Sequence, residues 1–231
     1  MTHLEIKELS KVYFIEDKGI KAVDRVSLRI DKGDFISIIG HSGSGKTTLL
    51  SIIGGILRPS SGNILFNGDD VYRFDENRLS EYRADRIGYI FQFASLLPVL
   101  TVRENLLLPT IFSTNGVHNK EKVLDEYLGM VGLGDKKNAY PSQLSGGQQR
   151  RVAIARALMN DPEIILGDEP TGDLDEETEQ DIMDLLKKIN LERNITLILV
   201  THDTGLAKDA ARRLRMDHGK MEEIRGNGRN K

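Results

Sequence analysis

One stretch limits the folds open to this chain more than any other: GHSGSGKT, residues 40–47, set between the apolar run FISII and the apolar helix pattern TTLLSII. A strand that ends in a glycine-rich loop and turns at once into a helix leaves successive backbone N–H groups facing inward, where they hold phosphate oxygens. The helix start adds a partial positive charge and Lys46 adds a full one. The expected contact set is Gly40, Ser42, Gly43, Ser44, Gly45, Lys46, Thr47 and Thr48, with the Thr47 hydroxyl directed to Mg²⁺. His41 occupies a variable position of the loop, with its side chain expected to point away.

Around this motif the chain alternates strand and helix patterns. Short apolar runs predict strands at 4–9, 23–30, 35–39, 87–91, 164–166 and 195–200, and helical patterns occupy 46–54, 120–131, 146–159 and 176–192. That order predicts an α/β domain with a mostly parallel central sheet. Residues 93–160 carry helix signals and Pro98, Pro109 and Pro141 with almost no strand pattern, so they read as a helical lobe inserted into the core. The division is then 1–92 and 161–225 for the α/β core and 93–160 for the lobe, with 226–231 as a solvated tail.

A second part of the phosphate site is IILGDEP, residues 164–170, a buried strand that ends in two acids. Asp168 is placed to hold the metal shell, and Glu169 beside it to orient or deprotonate an attacking water. A further phosphate-binding helix start lies in LSGGQ, residues 144–148, where Ser145 is an N-cap ahead of Gly146, Gly147 and Gln148. It lacks a lysine and sits on the lobe, away from the first loop. A head-to-tail dimer resolves this, because each phosphate loop then faces the partner's LSGGQ across a shared ATP.

Composition removes other readings. A chain of 231 residues is long enough to bury a real core, and a net charge of −3 gives no global basic field of the kind a dedicated nucleic-acid binder carries, so no nucleic-acid partner is expected. Zero cysteines exclude a disulfide framework and a thiolate nucleophile. The start lacks a signal-peptide apolar core and the longest apolar runs are too short to span a bilayer, so a cytoplasmic protein is expected.

The phosphate loop, LSGGQ, the strand ending DEP, the stretch TGDLD and the histidine of VTHD occur together and in order. In this the chain resembles the ATP-binding cassette (ABC) ATPases, over essentially its whole length. The resemblance implies their fold, a phosphate-loop core with an antiparallel β subdomain and the inserted lobe. It also implies ATP and Mg²⁺ as ligands, and hydrolysis of ATP by water within a homodimer. Tyr13 would stack on adenine, Gln92 would reach metal and water, Asp175 would line the dimer interface and His202 would hold the γ-phosphate. The catalytic set is then Glu169, His202, Lys46 and Gln92, and the metal set is Thr47, Gln92 and Asp168.

IGYIFQFASLLPVLTVRENLLLP and GDEPTGDLD are similar to ATPases of the lipoprotein-releasing and macrolide-exporting branch, which also includes a cell-division ATPase. That branch implies a membrane permease with few spans and a large extracytoplasmic domain, with the ATPase peripheral on the cytoplasmic face. Phe93, Leu96, Leu97 and Leu100 read either as the docking groove for a short permease helix or as lobe core. The alternative class is a soluble cassette protein acting on DNA or the ribosome, but such members carry two cassettes or a long coiled coil, and this chain has one phosphate loop and no sustained heptads. Three positions depart from the branch pattern: Asp173 replaces an asparagine, Gly167 an alanine, and Arg150 with Arg151 a glutamine-arginine pair. The aspartate puts negative charge near the expected dimer interface.

Overall fold

The run FISII is apolar at every position because the strand it forms is covered on both faces. In the computed structural model, which describes residues 2–16, 18–114, 116 and 119–224, this strand is β3 (Phe35–Ile39), and all its residues are buried. The same holds for β7 (Ile164–Asp168) and β8 (Thr196–Thr201). Continuous apolar strands of this kind belong inside a parallel sheet. They lie in a six-stranded sheet of order β10-β9-β3-β8-β7-β6, with β6 at Ile87–Ile90, β9 at Arg212–Asp217 and β10 at Lys220–Glu223. Every pairing is parallel except the β9–β10 hairpin.

A second, antiparallel sheet of order β2-β1-β4-β5 packs against the first. It is built from β1 (Thr2–Ile15), β2 (Lys18–Asp31), β4 (Ser61–Phe66) and the short β5 (Asp69–Asp70). β1 and β2 run well past the expected 4–9 and 23–30, because Val12 to Ile15 continue the ladder beyond irregularities in register between Ile6 and Val12. The added length ends in exposed Phe14 and Ile15. β4, β9 and β10 escape a search for apolar runs for a physical reason: each lies at or near a sheet margin and needs only one dry face, as where Leu214 and Met216 alternate with Arg213 and Arg215.

Helix α1 (Lys46–Ile53) lies between the two sheets and fills a core with Leu4, Ile36, Leu166 and Ile198. On the opposite face of the parallel sheet, α6 (Glu176–Arg193) shares a second core with the helices of the 93–160 region, namely α3 (Val102–Leu107), α4 (Lys120–Met130) and α5 (Gly146–Leu158). Short α2 (Glu76–Glu81) precedes β6. The lobe helices rest on sheet residues Ile90, Ile165 and Leu199, so their apolar surface is continuous with the core. The expected tail, 226–231, lies outside the described residues.

His3 ties β1 to the parallel sheet. Its buried ring places Nδ1 3.0 Å from Thr196 Oγ1 and Nε2 3.3 Å from Glu163 Oε2. Burial lowers its pKa, with the Glu163 charge opposing. The folded ring therefore stays neutral at a pH where the unfolded ring takes a proton, and stability present above about pH 6.5 is lost as pH falls below it, by up to about 1.4 kcal/mol per pH unit. Thermal melts at about pH 7.5 and about pH 5.5 should show a larger fall for the wild type than for His3→Gln.

Candidate active site

The phosphate loop is shaped by close backbone approach. A Cβ on Gly40 would come within 2.3 Å of the Met216 carbonyl, and one on Gly45, at φ 107°, within 1.9 Å of the Ala22 carbonyl. These glycines let the loop seat against β2 and β9. Gly43, by contrast, has open space where a Cβ would point, with none of the described residues within 4 Å. Among the described residues no side chain caps α1, and its first turn carries no acid. The N–H groups at the helix start therefore keep their full pull on an anion.

Lys46 is buried, and its Nζ donates to the carbonyls of Gly40 at 2.7 Å and His41 at 3.0 Å. Burial pushes its pKa down, opposed by the charges of Glu169 and Asp168. Ser44 Oγ is buried without a hydrogen-bond partner among the described residues. Ser42 and His41 are exposed, as is Thr47, and Thr48 is half-buried.

The two acids at the end of β7 face the loop differently. Asp168 is buried and lies 3.2 Å from the Thr47 hydroxyl, which donates to it. Burial raises its pKa; the Thr47 hydrogen bond works against that and the Glu169 charge adds to it. Glu169 leaves the strand at φ 46°, a left-handed conformation that costs a non-glycine residue about 1–2 kcal/mol. Its N–H donates to the Val200 carbonyl, fixing that turn, and its Oε2 lies 2.8 Å from His202 Nδ1. The histidine expected to face the γ-phosphate is thus paired with the acid expected to act on water, at the ends of neighbouring strands.

The remaining residues occupy other elements. Ser145 accepts a hydrogen bond from the Gln148 N–H, and the Gln148 side-chain oxygen accepts one from the Ser145 N–H, a complete capping box. Gly146 and Gly147 pack near Leu174 and Thr178, so this helix start is seated on α6 and its preceding turn. Asp175 caps α6 by accepting from the Thr178 N–H and hydroxyl, at 3.0 and 2.7 Å. Tyr13 stands part-exposed on β1 with Lys11 over its ring. Gln92 is exposed just past β6.

Sequence reasoning missed what holds the Gln92 segment. Arg150, buried on α5, donates to the carbonyls of Phe91 and Gln92, and Arg156 on the same helix donates to those of Ser95 and Ala94. The signal available was an arginine among the buried Val152, Ala153 and Ile154; its acceptors are backbone carbonyls, which leave no trace in a sequence. Of the four leucine and phenylalanine residues read as groove or core, Leu96 packs on the lobe core, Leu100 is half-buried, and Phe93 and Leu97 are exposed.

A family model described as ABC transporter matches residues 23–172. The chain belongs to the ABC transporter family. The lipoprotein-releasing system ATP-binding protein LolD of Syntrophus aciditrophicus is 41% identical over 218 residues, 94% of this chain and 98% of that protein. The macrolide export ATP-binding/permease protein MacB of Rhodopirellula baltica is 40% identical over 222 residues, and this chain spans about a third of it. A dimeric post-hydrolysis structure of the MJ0796 cassette of Methanocaldococcus jannaschii, bound to ADP and Pi, matches with a TM-score of 0.87 at 42% identity, over 96% of this chain and 99% of that one. The present chain is the ATP-binding, ATP-hydrolysing subunit of an ABC transporter. Among the described residues no helix is long and apolar enough to cross a membrane.

The cassette's glycines are not equivalent, and two alanine variants should separate their roles. Gly43→Ala should cost about 1–2 kcal/mol for its left-handed backbone alone. Gly45→Ala, which adds a clash with the Ala22 carbonyl, should melt several degrees lower still and lose ATP binding by calorimetry.

Proposed function

We propose that the cassette hydrolyses ATP with Glu169 acting on the attacking water and His202 holding that carboxylate in place while it faces the γ-phosphate. The Glu169–His202 pair beside buried Lys46 carries this reading. Lys46 and the N–H groups of the 40–48 loop bind the β- and γ-phosphates, and Tyr13 stacks on adenine. Gln92 contacts metal and water from the end of β6. No phosphoenzyme is required.

Thr47 and Asp168 hold Mg²⁺. Their hydroxyl and carboxylate oxygens lie 3.2 Å apart and are the hard oxygen donors that would hold such a cation. The ion, when bound, supplies positive charge to the phosphate oxygens.

The capped start of α5 packs on Leu174 and Thr178 rather than on a phosphate-loop residue, which supports its use by a second copy. Two chains then close head-to-tail on two ATP, with Ser145, Gly146, Gly147 and Gln148 of each facing the other's phosphate loop and Asp175 near the interface. Glu169→Gln should bind ATP, turn it over very slowly and accumulate as a dimer. Light scattering that finds only monomer at micromolar protein with saturating ATP would remove the dimer from the reading.

The partner is a membrane permease with few spans and a large extracytoplasmic domain, which keeps the cassette at the cytoplasmic face; the likeness to LolD and MacB supports this. The core is residues 1–92 and 161–225, and the lobe is 93–160. Between them lies a groove of about 460 Å³ walled by Tyr89, Phe91, Pro109, Phe112 and Arg83, suited to a short apolar helix. This groove is the docking surface of the reading, with exposed Phe93 and Leu97 of the 93–100 segment as the other candidate. Phe112→Asp should lower recovery of the cassette with native membranes severalfold, and unchanged recovery would move the docking site elsewhere.

A further inference from the structure

Arg150 stands five residues after the Ser145 cap, on the inward face of α5, and is only 5% exposed. Its Nη1 donates to the Phe91 carbonyl at 2.6 Å, and its Nη2 donates to the Gln92 carbonyl and reaches the Gly172 carbonyl at 3.5 Å. Three segments that carry different parts of the site meet on one guanidinium: the helix that starts at Ser145, the stretch that carries Gln92, and the 171–175 turn that carries Asp173 and Asp175. The carboxylate whose field acts on this buried cation is Asp173.

We propose that Arg150 is a positioning residue for hydrolysis, which makes the Gln92 segment and the 171–175 turn move as one body with the helix that starts at Ser145. The chemistry of the side chain supports this. A guanidinium is a planar fork that donates along several fixed directions at once and keeps its charge when buried. A glutamine in its place offers one NH₂ group, and a lysine offers a point charge without the fork. Out of water, each donation to a carbonyl is stronger and its loss leaves a buried acceptor unpaired. Arg156, through Ser95 and Ala94, fixes the following part of the same stretch, so the Gln92 segment takes its position from α5 on both sides. Closure of a partner's nucleotide on Ser145 thereby reaches Gln92 in the same chain.

The inference rests on the site assignment proposed above, and one set of variants tests the two separately. ATP turnover, ATP affinity by calorimetry and thermal midpoint would be measured for the wild type, R150Q, R150K, Q92A, the R150Q/Q92A double variant and E169Q. A misplaced loop should cost kcat on the order of tenfold in R150Q while the ATP Kd stays within about twofold. Because Arg150 acts mainly through the Gln92 segment, its contact with the Gly172 carbonyl being the longest at 3.5 Å, the double variant should fall within about twofold of the slower single one. R150K, folded and charged, should recover only part of the rate, which a purely structural role would restore. A kcat for R150Q within about twofold of the wild type, a loss that multiplies with that of Q92A, or a wild-type rate for R150K would overturn the proposal. Should R150Q fail to fold, the R150K rate decides. An E169Q variant that still turns over ATP would count against the site assignment itself, whatever Arg150 does.

Discussion

Lys46 is buried, and the acceptors of its ammonium are the carbonyls of Gly40 and His41. Burial disfavours that charge, and what offsets it is the pair of acids at the end of β7. Asp168 is itself pushed toward its protonated form by burial and by Glu169, and drawn back by Thr47 and Lys46. None of these groups is comfortable alone, and together they leave a site whose charges are balanced only in part. An incoming triphosphate meets a cluster already arranged around opposite charges, so little reorganisation is left to do.

That arrangement requires the ends of β3, β8 and β7 to lie side by side. The strand order places β8 between the phosphate loop and the acids, which is why His202, just past β8, reaches Glu169. The left-handed turn at Glu169 and the contact of its N–H with Val200 aim the carboxylate toward that histidine instead of along the strand. Burial of β3, β7 and β8 on both faces makes this edge of the sheet rigid, and loops on a rigid edge hold geometry better than loops on a mobile one.

The lobe answers to the same sheet. Its helices share a core with Ile90, Ile165 and Leu199, and the arginines of α5 take hold of the backbone after β6. The groove between lobe and core is therefore bordered by the same stretch that carries Gln92. A partner helix seated there, as proposed, and a nucleotide at the strand ends would touch two sides of one segment, a short physical route between them.

Much of this was legible in the chain alone. Glycine at 40 and 45, lysine at 46, a fully apolar run before them and another before Asp168 are local requirements of a phosphate loop and a buried parallel strand, and local requirements appear as residue types at fixed spacing. The Ser145 cap is legible for the same reason, since its hydrogen bonds close within four residues. The sheet order, the pairing of Glu169 with His202, the carbonyl contacts of Arg150 and the groove wall at Pro109 and Phe112 were decided by the tertiary structure. Each joins residues far apart in the chain or uses a backbone group that every residue carries, and neither leaves a mark in the order of side chains. The margin strands β4, β9 and β10 fall between the two cases, because a strand with one dry face needs so few apolar residues that only its neighbours make it a strand.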